Sequence, residues 1–328
     1  MSYHRPKVLV LEGLFGDTAD ILQEAGADAH EESPWSYQDV DDAMTFDSYD
    51  ALVLTGGGDV DTKLYREKPH KQVYGVDQLR DTVEMMALNH AMVAGIPVLG
   101  ICRGAQLMCV ARGGKLTQHI EGHRGNDHPV HAEPKATAFR RAIGARKAEF
   151  ISLHHQCVKR PGNGMMIAAR AADGTPEAIE SHDGKWLGVQ FHPEMTAYQN
   201  GNSFGVFKWL VEAAAENRGA TAKSVNFKDA RRAWKHRETE RKRRLTEAMT
   251  YPPTSKRRAA GTRTYIEGTK QWSEHGKNEL WVCGKCDMLF DDQDLKSAHE
   301  HYVHGVGYDD DEVYTSSSST YLSELDRY

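Results

Sequence analysis

The run Ile96-Pro97-Val98-Leu99-Gly100-Ile101-Cys102-Arg103-Gly104-Ala105-Gln106 constrains this chain more than any other stretch, because an apolar segment ends there in a cysteine set between two glycines. It reads as a buried strand turning sharply into a helix. The spacing Gly100-x-Cys102-x-Gly104 is the cysteine form of a nucleophile elbow, a turn that holds its central residue in a strained conformation and needs side chains absent where the backbone passes close. The helix that follows, with Gln106, Leu107, Met108, Val110 and Ala111, aims free N–H groups and the positive end of its dipole at the sulfur, which favours thiolate over thiol. Cys102 is therefore a candidate nucleophile. Taken alone, a buried cysteine reads equally well as inert core.

The flanking sequence alternates strands and helices. Lys7 to Glu12 and Ala51 to Thr55 are near-continuously apolar, the second breaking into Gly56-Gly57-Gly58-Asp59, while Asp17 to Ala27 and Asp77 to Ala94 carry helical periodicity. Apolar strands alternating with helices predict a parallel sheet covered on both faces, with functional groups at the carboxyl ends of its strands. The glycine triplet sits at such an end. It can lay a backbone N–H against a developing oxyanion, with the N–H of Arg103 as second donor. It lacks the GxGxxG spacing of a dinucleotide loop and the Lys of a P-loop.

From Gly113 the chain turns to mixed strands and loops. His119, His123, His128 and His131 read as surface and loop histidines near a cleft rather than as a metal site. Met165 to Ala172 and Glu177 to Ser181 read as paired strands around Asp173-Gly174-Thr175-Pro176, and a last helix is expected from Asn202 to Glu216. Before it comes Trp186 to Glu194, ending in His192-Pro193-Glu194. Residues two apart in an extended chain face the same side, so Glu194 can hold the His192 imidazole in one tautomer and stabilise its protonated form. A His-Pro-Glu ninety residues after the elbow is far more informative than either motif alone.

Several of these motifs in order, Leu54 to Asp61 with Leu64-Tyr65, Arg80-Asp81-x-x-Glu84, Gly100 to Leu107, Ser152-Leu153-His154-His155-Gln156 and Gly188 to Glu194, resemble the class I glutamine amidotransferase-like superfamily, and within it the γ-glutamyl-γ-aminobutyrate hydrolase branch, peptidase family C26. The resemblance covers roughly residues 5–216. It implies a flavodoxin-like three-layer α/β sandwich with a mainly parallel sheet, a Cys102, His192, Glu194 triad, and an oxyanion hole from the Gly57 and Gly58 loop and Arg103. It also implies that Gln106 lies near the glutamyl group and His154 at the substrate end of the cleft. The substrate would be a γ-glutamyl amide, cleaved through a γ-glutamyl thioester with no cofactor for catalysis, or glutamine, with ammonia passed to a partner synthetase or ligase. Cys109 departs from the pattern, standing where many relatives place asparagine.

The 328-residue chain continues well beyond that segment. A hydrolase domain over 1–217 is expected to be followed by a basic helical linker over 218–278, a zinc-finger-like ββα module over 279–306 and an acidic, Ser-rich disordered tail over 307–328. Residues 218–270 hold sixteen Lys and Arg against five Asp and Glu, although the whole chain has a formal net charge of −6. Within the linker, Asn226 can cap a helix running from Phe227 to Met249. It reads as a solvated, self-repelling helix or as an electrostatic handle for nucleic acid or an acidic partner. Cys283-x2-Cys286-x12-His299-x4-His304, with Trp281 and Phe290 in the places of a small aromatic core, has the ligand spacing of structural zinc. His301 competes as a ligand, and the acidic Asp291, Asp292, Asp294 and Glu300 suit protein contact at least as well as base readout. A third reading follows from this region: a zinc-finger binding protein with a vestigial amidase.

No apolar run approaches the roughly 18 residues of a membrane span, and the N-terminus lacks a signal-peptide core. Five cysteines, three of them scattered singly, suit a reducing compartment, so a cytoplasmic protein without membrane contact is expected. The finger spacing predicts about one zinc held by its four ligands. Metal analysis of the Cys283→Ser, Cys286→Ser double variant should show that zinc gone while amidase activity survives. Activity lost together with that zinc would contradict the independence of the two modules.

Overall fold

The computed structural model describes residues 5–11, 17–36, 46, 48–125, 127–219 and 226–233, helical positions 235, 236 and 239, and the backbone of four strands between 263 and 290. The chain divides into two units, Met1–Trp234 and Lys235–Tyr328.

The first unit runs β1 (Lys7–Leu11), α1 (Thr18–Ala25), β2 (Asp28–Glu32), β3 (Ala51–Leu54), α2 (Gln78–Ala94), β4 (Val98–Ile101) and α3 (Arg103–Ala111). It continues β5 (Lys115–Thr117), β6 (His128–Ala132), α4 (Ala138–Ile143), β7 (Lys147–Phe150), β8 (Cys157–Arg160), β9 (Met165–Ala171), β10 (Pro176–Ser181), β11 (Trp186–Val189) and α5 (Gly201–Asn217). Nine strands form one sheet in the order β2-β1-β3-β4-β11-β10-β9-β6-β7, with β5 and β8 paired separately. Pairing is parallel from β2 through β11 and antiparallel from β11 through β7. The expected parallel sheet is thus one half of a mixed sheet.

Strand alternation sorts side chains into two cores. Val8, Val10, Val53, Leu99, Ile101, Leu187 and Val189 face one side, where α1, α4 and α5 supply Ile21, Phe139, Phe204 and Trp209. Leu9, Leu11, Leu52, Leu54, Val98 and Trp186 face the other, against Leu88 of α2 and Leu107 and Met108 of α3. Strands buried on both faces have no polar side, hence their unbroken apolar sequence. The β4 strand is central, flanked by β3 and β11. Three parallel neighbours therefore deliver their carboxyl ends, at Leu54, Ile101 and Val189, to one edge.

After α5, Asn226 caps a short helical stretch by accepting from the Asp229 N–H at 3.0 Å. Phe227 packs on Phe204, with ring centroids 5.9 Å apart, and Ala230 is buried in the core beside α5. The start of the basic helix therefore belongs to the first unit, because its few apolar residues find a partner there. In the second unit, β12 (Arg263–Ile266), β13 (Gln271–Glu274), β14 (Asn278–Val282) and β15 (Leu289–Phe290) form an antiparallel sheet in sequence order. The expected zinc ligands Cys283, Cys286, His299 and His304, the competing His301, most of the linker and the acidic tail lie outside the described residues. Among the described residues no helix is long and apolar enough to cross a membrane.

A Cβ built on Gly104 would stand 2.3 Å from the Leu54 carbonyl oxygen and 2.8 Å from its carbon, so α3 rests directly on β3. Gly104→Ala should lower stability by about 1–3 kcal/mol through that clash. The check is the urea midpoint at unchanged slope; an unaltered midpoint would show that the contact is slack.

Candidate active site

At the end of β4, Cys102 adopts φ 49° and ψ −104°, a left-handed conformation costly for a residue with a Cβ. Its neighbours hold it there. The Cys102 N–H donates to the Val189 carbonyl at 2.7 Å, tying the turn to β11, and its carbonyl accepts from the Gln106 N–H at 3.2 Å. Glycine at 100 is required because a Cβ would lie 2.3 Å from Met108 Sδ and 2.7 Å from the Ala105 nitrogen. The nucleophile candidate is thus placed at the N-terminus of α3, whose first N–H groups have no intrahelical partner.

His192 follows β11, the strand beside β4. Its Nδ1 lies 2.5 Å from Glu194 Oε1, and its ring also hydrogen-bonds the Cys102 sulfur. All three residues are buried. Burial works against a charged ring, but the neighbouring Glu194 and Cys102 side chains overcome it and raise the His192 pKa well above its ordinary value. Gln190 adds a further contact, its Nε2 donating to Cys102 Sγ at 3.6 Å. By contrast, burial pushes the Cys109 thiol up to about 12 and the Cys157 thiol up to about 11, so both are inert core cysteines.

The glycine loop after β3 arrives against the same pair. A Cβ on Gly56 would be 2.8 Å from His192 Cε1 and 3.8 Å from Cys102 Cβ, and one on Gly58 would be 2.2 Å from the Gly75 carbonyl oxygen. Behind this loop lies a buried charge cluster. Arg80 donates to Glu84 at 2.7 Å and to the Gly56 carbonyl at 2.9 Å. Arg103 donates to both Asp81 and Glu84. Two guanidinium groups and two carboxylates balance, so the low-dielectric interior holds no net charge from them. The Arg103 side chain thereby anchors the residue whose backbone N–H is the second oxyanion candidate, and Arg80 anchors the glycine loop.

Gln106 is buried behind the sulfur, its Nε2 donating to the Gln156 carbonyl at 3.3 Å and to Gln190 Oε1 at 3.2 Å. His154 is also buried, with Nδ1 2.9 Å from the Gln156 carbonyl and Nε2 3.4 Å from Glu177 Oε1. Both side chains engage protein groups rather than standing open to a cleft. The histidine segment differs from the expectation of surface and loop positions: His123 is 4% exposed and lies 3.0 Å from the same Glu177 oxygen. Sequence reasoning missed Gln190, Glu177, Tyr74 and Arg124. Tyr74 stacks on His155 with centroids 4.8 Å apart and hydrogen-bonds Arg124, while Arg124 Nη2 is buried without a hydrogen-bond partner among the described residues. Gln190 lay inside the Gly188 to Glu194 motif and Glu177 at the start of an expected strand, with nothing to mark either as a site residue, and Arg124 had only its place beside His123.

The sequence model of the peptidase C26 family matches residues 34–194. A Mycobacterium tuberculosis protein named "Putative glutamine amidotransferase Rv2859c" is 38% identical over 183 residues, 52% of this chain and 57% of its own length. A Schizosaccharomyces pombe protein named "Putative glutamine amidotransferase PB2B2.05" is 32% identical over 175 residues, 49% of this chain and 68% of its own length. The crystal structure of a "putative gmp synthase subunit a protein" from Thermoplasma acidophilum superposes with a TM-score of 0.52 at 18% identity, covering 66% of this chain and 98% of that one. The chain belongs to the peptidase C26 family, within the class I glutamine amidotransferase-like group, and has its flavodoxin-like α/β fold. It spans a little over half the length of the mycobacterial relative.

Because Glu194 and Cys102 raise the His192 pKa, the imidazolium persists above the ordinary histidine range, and its contribution to stability is lost as pH rises through the folded-state value. Glu194→Gln should shift the His192 titration downward, read from its ring-proton chemical shift against pH. An unmoved titration would contradict the pairing.

Proposed function

We propose that this chain is a cysteine-dependent hydrolase of γ-glutamyl amides, with a γ-glutamyl-amine of the γ-glutamyl-γ-aminobutyrate type as substrate and Cys102, His192 and Glu194 as its triad. The observation that carries the reading is the convergence of an elbow cysteine, an imidazole hydrogen-bonded to its sulfur, and a carboxylate 2.5 Å from the other ring nitrogen. The raised His192 pKa supports a proton-carrying imidazole beside the sulfur.

The Cys102 sulfur attacks the γ-carbonyl carbon, forming the S–C bond as the carbonyl electrons move to oxygen. The Arg103 N–H and the N–H groups of the Gly57 and Gly58 loop stabilise that oxyanion; loss of one such donor costs about 3 kcal/mol. On collapse the C–N bond breaks, and His192 gives its proton to the departing amine. Water then attacks the thioester with His192 as base, and the thiolate leaves. Glu194 fixes the ring tautomer throughout. Gln190, with Gln106 behind it, positions the sulfur. Arg124, with a buried Nη2 that has no partner among the described residues, beside Tyr74, supplies the cation for the substrate α-carboxylate.

A second reading, a glutaminase that passes ammonia to a synthetase, draws support from the names of the two relatives. The purified chain should release amine from γ-glutamyl-γ-aminobutyrate and γ-glutamyl-putrescine, with Cys102→Ala at least 1,000-fold slower, roughly the scale of triad loss. Arg124→Gln should raise KM more than it lowers kcat. Turnover of glutamine alone, and only with a partner added, would favour the second reading. Equal silence of parent and Cys102→Ala would leave the vestigial-amidase reading in place.

A further inference from the structure

One cluster lies outside the triad and is used by no step above. Glu177, at the start of β10, is fully buried, and three imidazoles converge on its Oε1: His123 Nδ1 at 3.0 Å, His128 Nε2 at 3.1 Å and His154 Nε2 at 3.4 Å. The backbone sets this up. The His154 N–H donates to the His123 carbonyl at 3.1 Å, and Arg124 bridges Leu153, so the two histidines sit opposite one another on paired segments. Their rings lie 5.0 Å apart.

The outer nitrogens of both rings are already committed. His123 Nε2 lies 2.8 Å from Asp173 Oδ2, and His154 Nδ1 lies 2.9 Å from the Gln156 carbonyl. Each outer partner is an acceptor, so each outer nitrogen carries the proton, and in a neutral ring the inner nitrogen is left as a lone pair. The inner atoms, His123 Nδ1 and His154 Nε2, are buried without a hydrogen-bond partner among the described residues, and so is Glu177 Oε2. With both rings neutral, the two inner nitrogens and the Glu177 carboxylate present only acceptors to one another. Burial without a partner is unfavourable for a polar group. A cation shared by all three removes that cost.

The geometry points to a divalent transition-metal site of the zinc class, formed by His123 Nδ1, His154 Nε2 and the Glu177 carboxylate, whose donor atoms all lie within 4.8 Å of one another. Tetrahedral zinc with bonds of about 2.0–2.1 Å has ligand-to-ligand edges of roughly 3.3–3.4 Å. The 3.0 and 3.4 Å separations to Glu177 are close to that edge. The surroundings match those of bound metals. A carboxylate on His123 and a carbonyl on His154 orient the ligands, and His128 hydrogen-bonds the Glu177 carboxylate. Two imidazoles and one carboxylate form a nitrogen and oxygen donor set, distinct in chemistry from the thiolate-containing set expected of Cys283 and Cys286. The site ties the 123–125 turn to the 152–156 segment and to β10. Arg124 and the Gln156 carbonyl, which holds Gln106, stand on those segments, so the cation would brace the wall beside the triad.

Cobalt(II) titration of tag-free, full-length Cys283→Ser, Cys286→Ser protein tests this. Uptake of about one equivalent with d–d absorption and no sulfur-to-metal charge-transfer band is expected, since the ligands are nitrogen and oxygen. Cobalt bound at Cys102 would carry that band. Adding His154→Gln or, separately, Glu177→Gln should abolish uptake and with it the metal-dependent rise in thermal midpoint seen in the parent. Absence of uptake in the parent would overturn the proposal, whatever the folding of the variants. So would uptake unchanged by either substitution, or uptake accompanied by the sulfur band alone. None of these readings involves turnover, so the result is separable from the amidase assignment.

Discussion

The strained turn at Cys102 is the constraint on which the site depends. A non-glycine residue at φ 49° and ψ −104° carries a cost on the order of 1–3 kcal/mol, held only because the surroundings over-determine it. Those surroundings are glycines and strand ends. Gly100 and Gly188 are register partners on β4 and β11, and a Cβ on either would strike Met108 or Ala105 of α3. Gly104 meets β3 in the same way. Removing three side chains lets α3 lie close against three strands at once, and that close approach points its first N–H groups and Cys102 at one edge of the sheet.

A second layer of constraint is electrostatic. Arg80, Asp81, Glu84 and Arg103 are buried together, and losing one member of such a set costs about 3–5 kcal/mol because the others are left uncompensated. The cluster connects α2 to the loop at Gly56 and to the first residue of α3. Its value to the site is positional: both expected sources of oxyanion donors hang from it. The Arg80-Asp81-x-x-Glu84 spacing, one helical turn with its acids and base on one face, has its physical meaning here.

The parallel half of the sheet was legible because its strands are buried on both faces and advertise themselves as unbroken apolar runs. So were α1, α2 and α5, and β9 and β10 as a pair around Asp173-Gly174-Thr175-Pro176, whereas polar-edge and short elements were not. The β2 strand, Asp28-Ala29-His30-Glu31-Glu32, is a polar edge, and β6, β7 and α4 are short segments whose structure comes from pairing with distant partners. The elbow and His192-Pro193-Glu194 were readable because each is a local pattern with a local physical requirement. The contacts of Gln190 with Cys102 and of His123 with Glu177 span 88 and 54 positions, and no periodicity announces them. Histidines at 119–131 scattered in a polar segment look like surface residues until β10 brings a carboxylate beneath two of them.

The account rests on acyl transfer to one sulfur. Acid-quenching the chain during turnover of a γ-glutamyl amide, then mapping its peptides by mass, tests that most directly. A γ-glutamyl adduct on Cys102 and on no other residue, absent when Cys102 is replaced by Ala, is the predicted result. Product formation with the adduct on another side chain, or undiminished in the Cys102→Ala chain, would contradict it.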